Sequence, residues 1–254
     1  MTKYCVSTFP LGEFGLGDFL GDLADIGIST IELGKTHFEG LDAPTAVSLQ
    51  ADNGLRFKST LTTEDIAGPN GLAEQMAVLD RAEELSIPTV SISSGGSEES
   101  DEAAIDLIID RLKTLTQEAE NRNLKLSFYS HQGWMAYNLE RCERIFEAIQ
   151  SDSFGYYYCP YHFHIAGDDP VVALERLAER LSSVYFDCGW DFTNTTEPLW
   201  EQDKIDYGAV CRAIQKSGYD GEIMLIYFAE NAETPGPIVK GIEDARAVVD
   251  KLME

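Results

Sequence analysis

Short runs of β-branched and aromatic residues alternate along the chain with longer stretches in which apolar positions recur every three or four residues. The short runs open near Tyr4, Thr30, Phe57, Thr89, Lys125, Gly155, Ser183 and Ile223, spaced 26 to 40 residues apart. Between them, Leu16, Phe19, Leu20, Leu23 and Ile26 form one apolar stripe, and Ile105, Ile108, Ile109, Leu112 and Leu115 form another. Each interval accommodates one strand, one crossover helix and two loops, and a crossover helix implies parallel pairing. Eight such units predict an α/β fold, a single (β/α)8 TIM barrel over residues 1–254. An open doubly wound sheet is the alternative; it would want a glycine-rich phosphate turn after an early strand, and "PLGEFGLGDF" after the first run holds no GxGxxG.

Composition narrows the function. A length of 254 residues suits one barrel. With 19 Lys and Arg against 44 Asp and Glu, the formal net charge is −25, spread over most of the chain, which repels nucleic acid phosphates and anionic membranes. The five cysteines are scattered and include no CxxC, so neither a disulfide framework nor a thiolate zinc site is indicated, and a cytoplasmic location is expected. The N-terminal stretch has no signal-like apolar core, and no segment reaches the roughly 20 apolar residues of a membrane span. No GxSxG elbow is present for nucleophilic hydrolysis.

If the barrel is correct, chemistry belongs at the carboxyl ends of the strands. Those ends read "STFPLGEF", "TIELGKTHF", "RFKSTLT", "TVSISSGG", "KLSFYSHQGW", "GYYYCPYHFH", "SVYFDCGWDF" and "EIMLIYFAEN". Together with "LADIGISTIEL", "YHFHIAGDDP" and "KIDYGAVCRAIQKSGYDGEIML", they resemble the xylose-isomerase-like TIM barrels, which include sugar isomerases, sugar-phosphate epimerases, inosose dehydratases and endonuclease IV. The resemblance implies a divalent cation held by Glu, Asp, His and Glu from the fifth to eighth strands. Carried over position by position, those ligands fall on Tyr129, Cys159, Tyr185 and Ile226. A hard cation wants carboxylate oxygens, so the expectation is a degenerate site with no metal and no cofactor. Cys159, His162 and His131 leave a softer zinc site open as an alternative, against a reading of Cys159 as a small apolar filler.

The resemblance also places His131 and His162 where sugar-contacting histidines lie, and Glu32 where a strand-end glutamate is often seen. These three are the expected catalytic residues, with Glu32 or His131 as base and His162 polarising a carbonyl. Lys58, Tyr129, Cys159, Tyr185, Trp134 and Trp190 are the expected substrate contacts. An ion pair between Glu32 and Lys58 is an equally open role for that pair. His37 and His164 read as surface or loop residues. Asp187 faces the mouth or lies one residue off it. "SSGGSEES" reads as a helix-capping loop rather than a phosphate cradle, and "TNTTEPLWEQDK" as a lid.

The function expected is a sugar or sugar-phosphate isomerase or epimerase working on a small polyhydroxylated substrate by metal-independent proton transfer. The alternative is an inactive relative that serves as a small-molecule binding or regulatory module. A nuclease of the endonuclease IV kind would need many His and Glu ligands, and the chain has four histidines and the wrong sign of charge. The partner expected is a sugar-like small molecule, with no nucleic acid or membrane, and a homodimer is implied by resemblance alone.

Overall fold

The computed structural model describes residues 2–62, 65–99, 102–187, 205–229 and 231–254. Eight parallel strands follow one another in chain order round a closed barrel, so the predicted α/β TIM barrel is the fold. The strands are β1 (Lys3–Ser7), β2 (Thr30–Gly34), β3 (Arg56–Leu61), β4 (Thr89–Ser93), β5 (Lys125–Tyr129), β6 (Phe154–Tyr158), β7 (Leu181–Asp187) and β8 (Glu222–Ile226). Each begins within two residues of the position its apolar run predicted. No helix among the described residues is long and apolar enough to cross a membrane. The chain divides into two compact units, residues 1–58 with 184–254, and residues 59–183.

In the first unit, α1 (Leu20–Asp25), α2 (Lys35–Gly40), α3 (Ala43–Asn53), α9 (Tyr207–Ser217) and α10 (Gly236–Leu252) accompany β1, β2 and β8. α10 buries Ile238, Val239, Ile242, Ala245 and Val249, the stripe that its 3.6-residue period demands. Asp42 and Asp206 cap α3 and α9 by accepting the amides of Thr45 and Ala209, each at 2.8 Å. His37, expected at the surface, is buried in α2: its ring bonds the Thr8 hydroxyl at 2.8 Å and the Phe14 carbonyl at 2.9 Å. The same Thr8 oxygen accepts the amide of Gly34 at 2.9 Å, so one threonine joins the ends of β1 and β2.

In the second unit, α4 (Gly71–Glu84), α5 (Glu102–Asn121), α6 (Leu139–Ala148), α7 (Pro160–Ala166) and α8 (Pro170–Leu177) surround β4 to β6. Phe128, Phe146 and Phe154 pack against one another, and Tyr156, Tyr158 and Phe163 extend the cluster. Phe128 of β5 and Phe154, Tyr156 and Tyr158 of β6 share the even-numbered strand face; alternation turns Ser127, Tyr129 and Tyr157 to the other face. α7 is a helix where the sequence suggested only a strand end. Pro160 sits in its first turn, where a missing N–H costs nothing, and Gly167 ends it at φ 86°. Asp169 caps α8 through the amides of Val171 and Val172.

Candidate functional site

The constellation of greatest chemical interest lies within residues 129–162 of the second unit. Tyr129 is the last residue of β5, and the four residues His131 to Trp134 form a turn closed by the Trp134 amide on the His131 carbonyl at 3.2 Å. Gly133 occupies the third position at φ 84°, the left-handed conformation that a type II turn reserves for glycine. The turn is anchored from outside: the Met135 amide donates to the Gly95 carbonyl at 2.9 Å, the Ala136 amide to the Ser94 hydroxyl at 3.0 Å, and Arg141 to the Met135 carbonyl at 2.6 Å.

His162 enters from the first turn of α7 and is almost fully buried. Its Nε2 meets the Tyr129 hydroxyl and its Nδ1 meets the side-chain carbonyl oxygen of Gln132. Since the Gln132 oxygen only accepts, Nδ1 carries the proton, and Nε2 accepts from Tyr129. The His131 ring lies 4.0 Å from the His162 ring and 4.5 Å from the Trp134 ring, centroid to centroid. Its Nδ1 donates to the Gln132 backbone carbonyl at 2.5 Å, which leaves the Nε2 lone pair without a partner among the described residues. Burial pushes the basicity of His131 down, against the opposing pull of that carbonyl. Burial, and then the neighbouring His131, hold His162 well below the ordinary imidazole value. Both rings are therefore neutral near pH 7. Tyr157 adds a ring 5.0 Å from Tyr129.

Two residues the sequence did not single out complete this end of the unit. Gln132 links both histidines; its only signal was its place beside His131 in "HQGW". Ser93 pairs in register with Tyr129, is fully buried, and its hydroxyl has no hydrogen-bond partner among the described residues. In the "SSGG" loop, the Gly96 amide donates to the Asp65 carboxylate at 3.0 Å. The protein thus supplies its own anion to this loop amide, in keeping with a loop that does not cradle phosphate.

The remaining expected residues divide between the units. Cys159 is fully buried at the position preceding α7. In the first unit, Glu32 is fully buried in β2, in register with Ser7. Tyr185 and Ile226 are buried in β7 and β8; Asp187 pairs with Ile226 and shares the strand face of Tyr185. Lys58 gives its ammonium to Glu222, at the amino-terminal start of β8. Burial acts to raise the Glu222 carboxyl, and the hydrogen bond and charge of Lys58 outweigh it and hold the group below its usual range. Trp190 and the "TNTTEPLWEQDK" stretch lie outside the described residues.

The metal implied by the sequence resemblance finds a poor donor set at the positions that carry it over. Tyr129 and Cys159 in one unit and Tyr185 and Ile226 in the other offer two phenols, a thiol and an aliphatic chain, which do not suit a hard divalent cation. Among the described residues, no three His, Cys, Asp or Glu side chains are placed to hold a metal ion.

Solved structures with the same fold span essentially the whole chain. An L-ribulose 3-epimerase superposes with a TM-score of 0.80 at 15% identity, covering 100% of this chain and 95% of its own. D-psicose 3-epimerase from Clostridium cellulolyticum H10, solved with D-tagatose, gives 0.77 at 12% identity, with 100% of both chains covered. A probable 3-DHS dehydratase from Bacillus anthracis gives 0.78 at 13% identity, covering 97% of this chain and 99% of its own. At these identities the likeness establishes the fold. No curated protein sequence matches the chain. The family model of the xylose isomerase-like TIM barrels matches residues 20–252, and the chain belongs to that family.

Proposed function

We propose that the protein is an isomerase or epimerase of a small, sugar-like polyhydroxylated substrate, and that it moves the proton by its own side chains without a divalent cation. One observation carries the reading: His131 is a neutral imidazole whose Nε2 lone pair has no partner among the described residues, beside the Trp134 ring that would cover a sugar's apolar face. His131 takes the proton from the carbon next to the carbonyl. The oxygen that gains negative charge draws the Tyr129 hydroxyl away from His162, because a charge-assisted hydrogen bond is about twice as strong as a neutral one. His162 has both ring nitrogens engaged, so its role shifts from polarising the carbonyl, as first expected, to positioning Tyr129. Epimerases among the solved structures of the same fold support the substrate class.

The test is exchange of substrate C–H for deuterium in heavy water, followed by NMR over a panel of ketoses and aldoses. Exchange should persist in excess EDTA and be lost in His131→Asn. Loss with EDTA and restoration by Mn²⁺ would overturn metal independence. Exchange that survives His131→Asn and disappears in Glu32→Gln would make Glu32 the base. Binding of a sugar without exchange would instead favour a binding or regulatory module, a reading supported by the buried, chemically inert Ile226 at a position where the family resemblance implies a ligand.

A further inference from the structure

We infer that Gln132 is a positioning residue that fixes the protons of both histidines, and through His162 the proton of Tyr129. The inference deepens the proton-transfer reading and rests on it only for its consequence in turnover. Gln132 reaches the two rings by different atoms: its backbone carbonyl accepts from Nδ1 of His131, and its side-chain oxygen accepts from Nδ1 of His162. A neutral imidazole has one N–H, so an acceptor at Nδ1 places the lone pair on Nε2. For His131 that lone pair is the base. For His162 it receives the Tyr129 hydroxyl, so the phenolic proton is held in one direction until a stronger acceptor arrives.

The surroundings leave the amide as the determinant. His162 is almost fully buried and its neighbours are the rings of Tyr129, His131 and Tyr161. Among the described residues, no carboxylate is a hydrogen-bond partner of His162. An amide oxygen favours the imidazolium less than a carboxylate would, so it can orient the ring while burial still keeps that ring neutral. The turn explains how one residue serves both rings: Gly133 at positive φ lets the chain reverse directly after Gln132.

The experiment is long-range ¹H–¹⁵N NMR of the full-length protein labelled at histidine, with no substrate present. In the native protein, His131 and His162 should both carry the proton on Nδ1. Gln132→Leu removes the side-chain acceptor and keeps the backbone carbonyl, so His162 should lose its single tautomer while His131 retains Nδ1–H. Gln132→Glu should restore the His162 tautomer and raise its basicity, since an adjacent negative charge favours the imidazolium. A native His162 protonated on Nε2, or an unaltered His162 in Gln132→Leu, would overturn the inference. The native spectrum decides even if a variant fails to fold. Absence of deuterium exchange would sink the proposed function and would not touch these tautomers, so the two failures are separable.

Discussion

Ser93 and Gln132 show how much of this site is set by single side chains that carry no motif. Ser93 is an ordinary strand serine by composition, and only pairing with Tyr129 brings its hydroxyl to the end of β4. A buried hydroxyl with no partner pays its desolvation and recovers little. Ser93→Ala should therefore leave stability within about 1 kcal/mol of the native protein or raise it slightly, by chemical denaturation. A loss of several kcal/mol would mean that the hydroxyl is bonded in solution. The strand ends carrying Tyr129, His131 and Cys159 were legible because apolar runs mark the strands, whereas the ligand roles carried to Tyr129, Cys159, Tyr185 and Ile226 rest on the resemblance alone. The partners of His162 were not, since they depend on the helical start of α7 and on the turn at Gly133, neither of which periodicity resolves. His37 was misjudged for a similar reason: its burial follows from Thr8 and Phe14, distant in sequence.

At the scale of elements, the eight strands were readable because each carries a short run of β-branched, aromatic or aliphatic residues and long crossover helices such as α5 and α10 carry a 3.6-residue stripe. The loops are where reading stopped, and the proposed site draws on them. The turn His131–Trp134 depends on one glycine, with open space where a Cβ would stand. Gly133→Ala thus costs conformational energy alone, about 1–2 kcal/mol. Because the turn aims Gln132, the variant should also relax the His162 tautomer, visible in the same nitrogen spectra. A Gly133→Ala protein with native stability would mean that the left-handed residue is not required. Lys58 illustrates the converse: the strand was placed correctly, yet its ion-pair partner was set by which end of β8 lies near it, and that was beyond periodicity.

For the whole molecule, buried imidazoles make stability depend on pH in a definite direction. His37, His131 and His162 all have lowered proton affinity in the folded state, chiefly through burial. The unfolded chain therefore binds more protons, and their contribution is fully present above the ordinary imidazole value of about 6.5 and is lost as pH falls through the folded values. Glu222, held low by Lys58, adds a second loss that begins below the ordinary carboxylate value of about 4.3. Melting temperature should fall in two stages on acidification. His162→Gln should flatten the first and Glu222→Gln the second. A native melting temperature that is constant from pH 7 to 5 would show that these rings are protonated as easily folded as unfolded.

Tyr129, His131, Gln132, Trp134 and His162 all come from one continuous passage between residues 129 and 162 in a single compact unit. A cation cage drawn from four separate strands is transmitted only with an entire barrel, because each ligand is encoded far from the others. Here donors, acceptors, turn glycine and aromatic ring all fall within one stretch of 34 residues of the chain, 129 to 162. The hydrogen-bonded group is thus portable: recombination that exchanges one strand–helix–strand–helix segment between related barrels would carry it intact into a new scaffold.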